Sequence, residues 1–199
     1  MIDLEKKVNE IYNQPSDINE HIPTILKYGQ ECNHITEMGV RGILSTWAWL
    51  ACAPTDKFIA YDLCDPSTWG GDIQSVRDAA KAYDINFEFK QADVLEIDIE
   101  ETDLLFIDTW HHYNQLTAEL KKHSGKARKY ICFHDTTSYE HKSEVTDSSN
   151  SWNGELDWNK GLWDAVTEFL DANSKVWKLK ERFTNNNGFT IIERINEKN

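Results

Sequence analysis

Asp103-Leu104-Leu105-Phe106-Ile107-Asp108 is a run of four apolar residues closed at its far end by a carboxylate. A strand buried on both faces reads this way, as the central strands of a parallel sheet do. Outward from it the pattern recurs. His34-Ile35-Thr36-Glu37-Met38 runs into Gly39, Lys57-Phe58-Ile59-Ala60-Tyr61-Asp62 ends in an acid, and Ile85-Asn86-Phe87-Glu88-Phe89-Lys90 alternates. Lys129-Tyr130-Ile131-Cys132-Phe133-His134-Asp135 ends in an imidazole and an acid. Between these runs, residues 43–53, 72–83 and 113–123 have helical spacing, as do 2–13, 18–30 and 160–172. Strand alternating with helix means a parallel sheet covered on both faces. Two last strand-like runs, 175–183 and 188–194, are joined by Asn185-Asn186-Asn187-Gly188, and Asn-Gly between apolar runs signals a hairpin. The expected fold is α/β: a Rossmann-like three-layer sandwich whose seven-stranded, mostly parallel sheet closes with an antiparallel C-terminal hairpin. Residues 1–30 read as an N-terminal helical extension and 31–199 as the Rossmann-like domain. The polar stretch 136–159 reads as a lid loop with Trp152 and Trp158 as apolar anchors.

The composition narrows the function. The chain has 199 residues, 21 Lys and Arg against 34 Asp and Glu, and a formal net charge of −13. So acidic a surface repels phosphate backbones, which disfavours a nucleic-acid partner. No apolar run approaches the ~20 residues that cross a bilayer, so no membrane partner is expected. The four cysteines, Cys32, Cys52, Cys64 and Cys132, lie among apolar neighbours without CxxC spacing and read as reduced core thiols. A cytoplasmic location fits them. Residues 1–30, outside the core pattern, could form a lid or an interface between copies in a homo-oligomer.

In open α/β sheets the ligand crevice lies outside the carboxyl ends of the strands. Here those ends carry Glu37 with Gly39, Asp62, Asp108, and His134 with Asp135. Gly39 allows a tight turn and close approach of a ligand, and the following helix offers free N–H groups. Glu37, Gly39, Arg41 and Ser45 are therefore candidates for a cofactor loop, although a plain strand-to-helix turn reads the same way. The dinucleotide fingerprint GxGxxG is absent because Arg41 takes the second glycine's place, and no GK[ST] follows. Asp62 can accept both hydroxyls of a ribose. Asp93 can accept from the amine of an adenine, with Val94 packed on the ring. Asp108 and His111, three residues apart, can face one crevice, where an imidazole serves as general base or metal ligand. Asp108, Asp135 and His134 could hold a divalent cation. Oxygen donors favour Mg²⁺, Mn²⁺ or Ca²⁺, and nitrogen tilts the choice toward Mn²⁺ or another transition metal. Asp135 could instead cap a turn.

These residues, in this order, resemble a class I S-adenosylmethionine-dependent methyltransferase, over roughly Ile35 to Arg194. More narrowly, the chain is similar to the small-molecule O-methyltransferases grouped with macrocin O-methyltransferases and cephalosporin-hydroxylase-type proteins. The likeness is carried by Glu37-Met38-Gly39-Val40-Arg41-Gly42-Ile43-Leu44-Ser45-Thr46, by Phe106-Ile107-Asp108-Thr109-Trp110-His111-His112-Tyr113, and by Phe133-His134-Asp135-Thr136. It implies S-adenosylmethionine as donor and a hydroxyl of a small molecule or glycan as acceptor. It also implies Mg²⁺ or Mn²⁺ assistance and a seven-stranded sheet with a reversed last strand. Glu37 and Gly39 would then belong to the cofactor loop, with Asp62 at the ribose and Asp93 at the adenine. Asp108 and Asp135 would be metal ligands, and His111 the general base. His134 stands where metal-dependent relatives often have a second acid. Arg41 replaces a common glycine, and Thr109 and Trp110 replace the usual small and acidic residues. Two other readings remain open: a nucleotide or nucleotide-sugar protein on the same sheet, and a binding module without activity.

Overall fold

Residues 2–145 and 154–195 are described by a computed structural model. Its strands are β1 (His34–Met38), β2 (Lys57–Asp62), β3 (Phe87–Gln91), β4 (Thr102–Ile107), β5 (Ala127–His134), β6 (Trp177–Phe183) and β7 (Phe189–Arg194). They form one sheet in the order β3-β2-β1-β4-β5-β7-β6. The pairs from β3 to β5 are parallel, and β7 runs antiparallel to both β5 and β6. The helices are α1 (Leu4–Asn13), α2 (Ile22–Gly29), α3 (Leu44–Ala51), α4 (Ile73–Ala82), α5 (Tyr113–His123) and α6 (Leu162–Ala172). The fold is thus the expected Rossmann-like sandwich with its terminal hairpin.

The β4 stretch shows why an unbroken apolar run was needed. Side chains alternate across a strand. Leu104 and Phe106 enter the core under α1 to α4, while Leu105 and Ile107 enter the core under α5 and α6. Each face of the sheet has its own cluster, so every residue of the run is buried. Residues of α1 at helical spacing, Leu4, Val8 and Ile11, join the first cluster with Ile22 and Ile25 of α2. The first 30 residues therefore share a core with α3. Among the described residues, no helix is long and apolar enough to cross a membrane.

Asp103, the first acid of the quoted run, has a structural task. Its buried carboxylate accepts from Asn33 N (2.7 Å), His34 N (3.3 Å) and Arg128 Nε (3.0 Å), pinning the start of β1 to β4. The Asn-Gly turn also does more than close a hairpin. Asn186 Nδ2 donates to Ser16 O (2.7 Å), and Glu20 N donates to Asn186 Oδ1 (3.1 Å). This fixes the segment after α1 beside the carboxyl ends of the sheet.

Local capping sets where the helices begin. Asp72 caps α4, its Oδ1 accepting from Gln74 N (3.1 Å) and Ser75 N (3.2 Å). Asp72→Ala is expected to cost about 1 kcal/mol. Urea unfolding should show this as a lower midpoint at unchanged slope.

Candidate active site

The chain order reverses direction across the sheet between β1 and β4, and the candidate residues gather at the carboxyl ends there. Leaving β1, the backbone makes a contorted loop with Gly39 at φ +88°, Arg41 at φ +42° and Ile43 at φ +63°. Left-handed backbone at a β-branched residue is uncommon and costs energy that the surroundings must offset. Asp62, at the end of β2, supplies part of that offset. Its Oδ2 accepts from Val40 N (2.7 Å) and Arg41 N (2.9 Å), and its Oδ1 from Cys64 N (2.9 Å). Gly39 is forced by contact as well as by φ, since a Cβ there would lie 1.9 Å from the Asp108 carbonyl oxygen. Glu37 lies beneath the loop, fully buried, and its Oε1 accepts from Ser45 Oγ (2.6 Å). Burial pushes its pKa up to about 8, against the opposing Ser45 bond. Burial thus favours its protonated, uncharged form.

The second group stands at the ends of β4 and β5. Asp135, directly after β5, has φ +59°, a conformation that Asp tolerates better than most residues. Its Oδ2 lies 2.9 Å from His111 Nε2 and 3.1 Å from His134 Nδ1. Asp108 faces the same rings, with Oδ1 3.4 Å from His111 Nε2 and Oδ2 3.5 Å from His134 Nδ1. The far nitrogen of each ring is tied. His111 Nδ1 donates to Glu144 Oε2 (2.9 Å), and His134 Nε2 donates to the Asp17 carbonyl (2.9 Å). Tyr139 stacks on His111 at 4.7 Å and 12°. Ligand atoms of Asp108, His111 and Asp135 all lie within 4.8 Å of one another.

The electrostatics follow from this crowding. Burial alone would lower the His111 pKa. Asp108, Asp135 and Glu144 outweigh it and hold the ring protonated up to about 12. Burial works against the His134 charge too, and Asp108 and Asp135 again prevail, to about 10. Burial would raise the Asp135 carboxyl, but its bonds to His111 and His134 keep it well below the usual carboxylate range. A third buried acid, Glu119 of α5, accepts from Thr109 Oγ1 (2.7 Å) and Gln115 Nε2 (2.8 Å). Burial raises it to about 7 against those bonds.

A cleft of about 720 Å³ opens over this cluster, within the ~300–1,000 Å³ of small-ligand sites. Arg41, Ser45, Asp108, His111 and Asp135 border it. Arg41 reaches across to Asp17 Oδ2 (3.4 Å) and lies over the exposed Trp69 ring. Glu37, Gly39, Asp62, Asp93, Val94 and His134 are not among the residues that line it. Asp93 caps the turn after β3 through Leu95 N (2.8 Å), and Val94 is buried in the α5–α6 core. His112 begins α5, its Nδ1 accepting from Asn114 N (3.2 Å).

Four contributors were not singled out in the sequence: Asp17, Tyr139, Glu144 and Glu119. Tyr139 and Glu144 belong to the stretch read as a lid, whose lack of periodicity gave no residue-level signal. Trp152 lies outside the described residues. Trp158, the other expected anchor, packs edge-on against His112 at 4.8 Å.

No family model matches the chain, and no curated protein matches it. Solved structures do. A methyltransferase from Podospora anserina bound to SAH is 16% identical, with 98% of this chain and 89% of that one covered at a TM-score of 0.57. A cofactor-bound protein from MTB is 12% identical over 96% and 87%, at 0.60. An O-methyltransferase family protein from Burkholderia thailandensis is 10% identical over 98% and 60%, also at 0.60. At these identities what is shared is architecture, and the chain has the Rossmann-like fold of these structures.

Proposed function

We propose that the protein transfers a methyl group from S-adenosylmethionine to a hydroxyl of a small molecule or sugar. The observation that carries this reading is the meeting, at the sheet's switch point, of the Gly39 loop with the Asp108–His111–Asp135 cluster in one cleft. The donor is a cation at its sulfonium, and Asp17, Asp108, Asp135 and Glu144 around the cleft are what a cation meets. Val40, Arg41, Gly42 and Ser45 of the loop that follows Gly39 line the cleft, where a ligand can meet them.

In this reading the Glu37–Ser45 loop holds the donor's amino-acid end. Asp62 shapes that loop through its amides and keeps a lone pair on Oδ1 for a ribose hydroxyl. Asp93 and Val94 stand toward the adenine end. The acceptor hydroxyl lies over Asp108 and His111, bounded by Trp69 and Tyr139. Its oxygen forms the new bond to the methyl carbon as the sulfonium's C–S bond breaks, and its proton must leave. The protein's contribution is to orient the two reactants and exclude water. His111 is the imidazole in reach of that proton. It could take that proton only as the neutral ring, which a divalent ion held by Asp108 and Asp135 would favour over the imidazolium. The residues present fit a divalent ion: the Asp108 and Asp135 carboxylates converge with the His111 imidazole, and His134 Nδ1 lies 3.1 Å from Asp135 Oδ2. Asp108, Asp135 and His134 would hold it, and when bound it would acidify the acceptor hydroxyl.

Calorimetry with S-adenosylmethionine and S-adenosylhomocysteine, with and without Mg²⁺ or Mn²⁺, tests this reading. Micromolar-range binding is expected. Asp62→Ala should weaken it about ten- to a hundredfold, because the loop loses charge-assisted bonds each worth ~1.5–3 kcal/mol. No binding of either compound under any metal condition would sink the methyltransferase reading.

A further inference from the structure

Among the described residues that line the cleft, Arg41 is the only Lys or Arg, facing the carboxylates of Asp17, Asp108, Asp135 and Glu144. We infer that its guanidinium, with the Trp69 ring beside it, recognises the acceptor, and that the acceptor is a hydroxylated ring bearing a carboxylate. That this ring accepts a methyl group rests on the proposed methyl transfer; that an anionic ring binds here stands on the geometry.

The backbone alone would not choose arginine at this place. Arg41 stands at φ +42°, in the left-handed region that glycine enters freely, while Gly42 beside it is not at positive φ. A side chain kept at a strained position points to a task for that side chain. Its present partner does not supply one. Arg41 Nη1 meets Asp17 Oδ2 at 3.4 Å, with the arginine side chain 71% exposed. An ion pair so open to water contributes little to stability. A guanidinium carries five N–H donors in a planar fork, which a carboxylate fills through two of them. Among the described residues, Arg41 engages its fork only through the contact to Asp17. The deeper acids are already committed: Asp108 and Asp135 face the His111 and His134 rings, and Glu144 accepts from His111 Nδ1. Asp17 is the acid that competes for Arg41. With Asp17 so close, a singly charged carboxylate is opposed less than a phosphate dianion.

Trp69 supplies the second observation. It ends the 3₁₀ turn Pro66–Trp69 and is the most exposed aromatic side chain among the described residues, at 57%. The turn beneath it is fixed. Asp65 Oδ1 accepts from Ser67 N (2.9 Å), Gly71 N donates to Pro66 O (2.9 Å), and a Cβ on Gly71 would lie 3.1 Å from Ile43 Cγ2. A bare indole on a fixed turn at the border of a cleft is a stacking surface for an aromatic or sugar ring. The Arg41 guanidinium carbon lies 5.8 Å from the centre of the indole. A ring stacked on Trp69 therefore brings a carboxylate substituent within reach of the fork.

The test is calorimetry of the full chain, with and without saturating S-adenosylhomocysteine, using probes one carboxylate apart: protocatechuate against catechol, and glucuronate against glucose. In at least one pair the carboxylate is expected to bind about 10- to 100-fold more tightly, as charge-assisted bonds allow. Arg41→Ala should abolish that preference. Asp17→Asn should raise carboxylate affinity about two- to fivefold by removing the competitor. These opposite signs separate recognition from a merely structural ion pair, whose loss from either side would act alike. Circular dichroism checks that each variant is folded. Equal affinity within both pairs, no binding of either carboxylate, a preference that survives Arg41→Ala, or effects of Arg41→Ala and Asp17→Asn in the same direction would each overturn the inference. S-adenosylhomocysteine itself ends in a carboxylate. If Arg41→Ala weakens its binding as much as that of the probes, the guanidinium belongs to the donor and the inference falls. If S-adenosylhomocysteine fails to bind the wild type while the carboxylate preference holds, the methyltransferase reading falls and the anion site stands.

Discussion

Replacing Gly39 with alanine is expected to cost about 3 kcal/mol of stability and to abolish donor binding. Two independent effects act at this position. The residue sits at φ +88°, where an L side chain is strained, and its new Cβ would lie 1.9 Å from Asp108 O and 2.5 Å from Asp108 C. Those atoms are backbone at the end of a central strand, bonded through Asp108 N to Met38 O (2.8 Å), so no flexible side chain can yield. Either β1 and β4 part at their carboxyl ends or the loop rebuilds, and both outcomes move Asp108 relative to the loop. For a chain of this size about 3 kcal/mol is a fall of about 6–12 °C in melting temperature. Gly42→Ala is the control. Nothing lies within 4 Å of a Cβ there, so its effect should stay within about 0.5 kcal/mol. A Gly39→Ala protein that melts with the wild type and still binds S-adenosylhomocysteine would show that the close pass of loop over strand does not shape the site.

That glycine also marks how far the sequence could be read. Strand positions were legible because burial on both faces demands unbroken apolar runs, and Leu104 to Ile107 serve two cores at once. The hairpin was legible because Asn187 and Gly188 both need positive φ. The gathering of Asp108, His111, His134 and Asp135 followed from strand ends alone. What could not be read was the direction of commitment. Asp103 and Asp108 bound the same run, yet one pins β1 to β4 while the other faces the cleft. Asp62 looks like an open ribose acceptor in sequence, and in the fold its oxygens first satisfy the amides of Val40, Arg41 and Cys64. His111 reads as a free base. Only the arrival of Glu144, 33 residues away, gives it a third carboxylate. Such partners come from segments without periodicity, where composition identifies a loop but says nothing of which side chain turns inward.

The deepest of these commitments should be visible in stability against pH. Glu37 is fully buried, and burial raises its folded pKa from the model-compound value of 4.5 to about 8 against the opposing bond from Ser45. Unfolding returns the carboxyl to water, where it ionises near the ordinary value. Between those two values the folded chain holds a proton that the unfolded chain has lost, so raising the pH removes stability across that window and no further above it. Glu37→Gln keeps an oxygen for Ser45 and carries no charge to bury. The stability of wild type relative to Glu37→Gln should therefore fall by about 3 kcal/mol, to order of magnitude, between about pH 5 and pH 9. Paired urea titrations measure this, and taking the difference cancels every group the two proteins share. Glu119→Gln should show the same sign over a shorter window, since the Glu119 carboxyl rises only to about 7. Parallel pH profiles for wild type and Glu37→Gln would mean that Glu37 is hydrated in the folded chain. The Gly39 loop would then not seal the floor of the cleft.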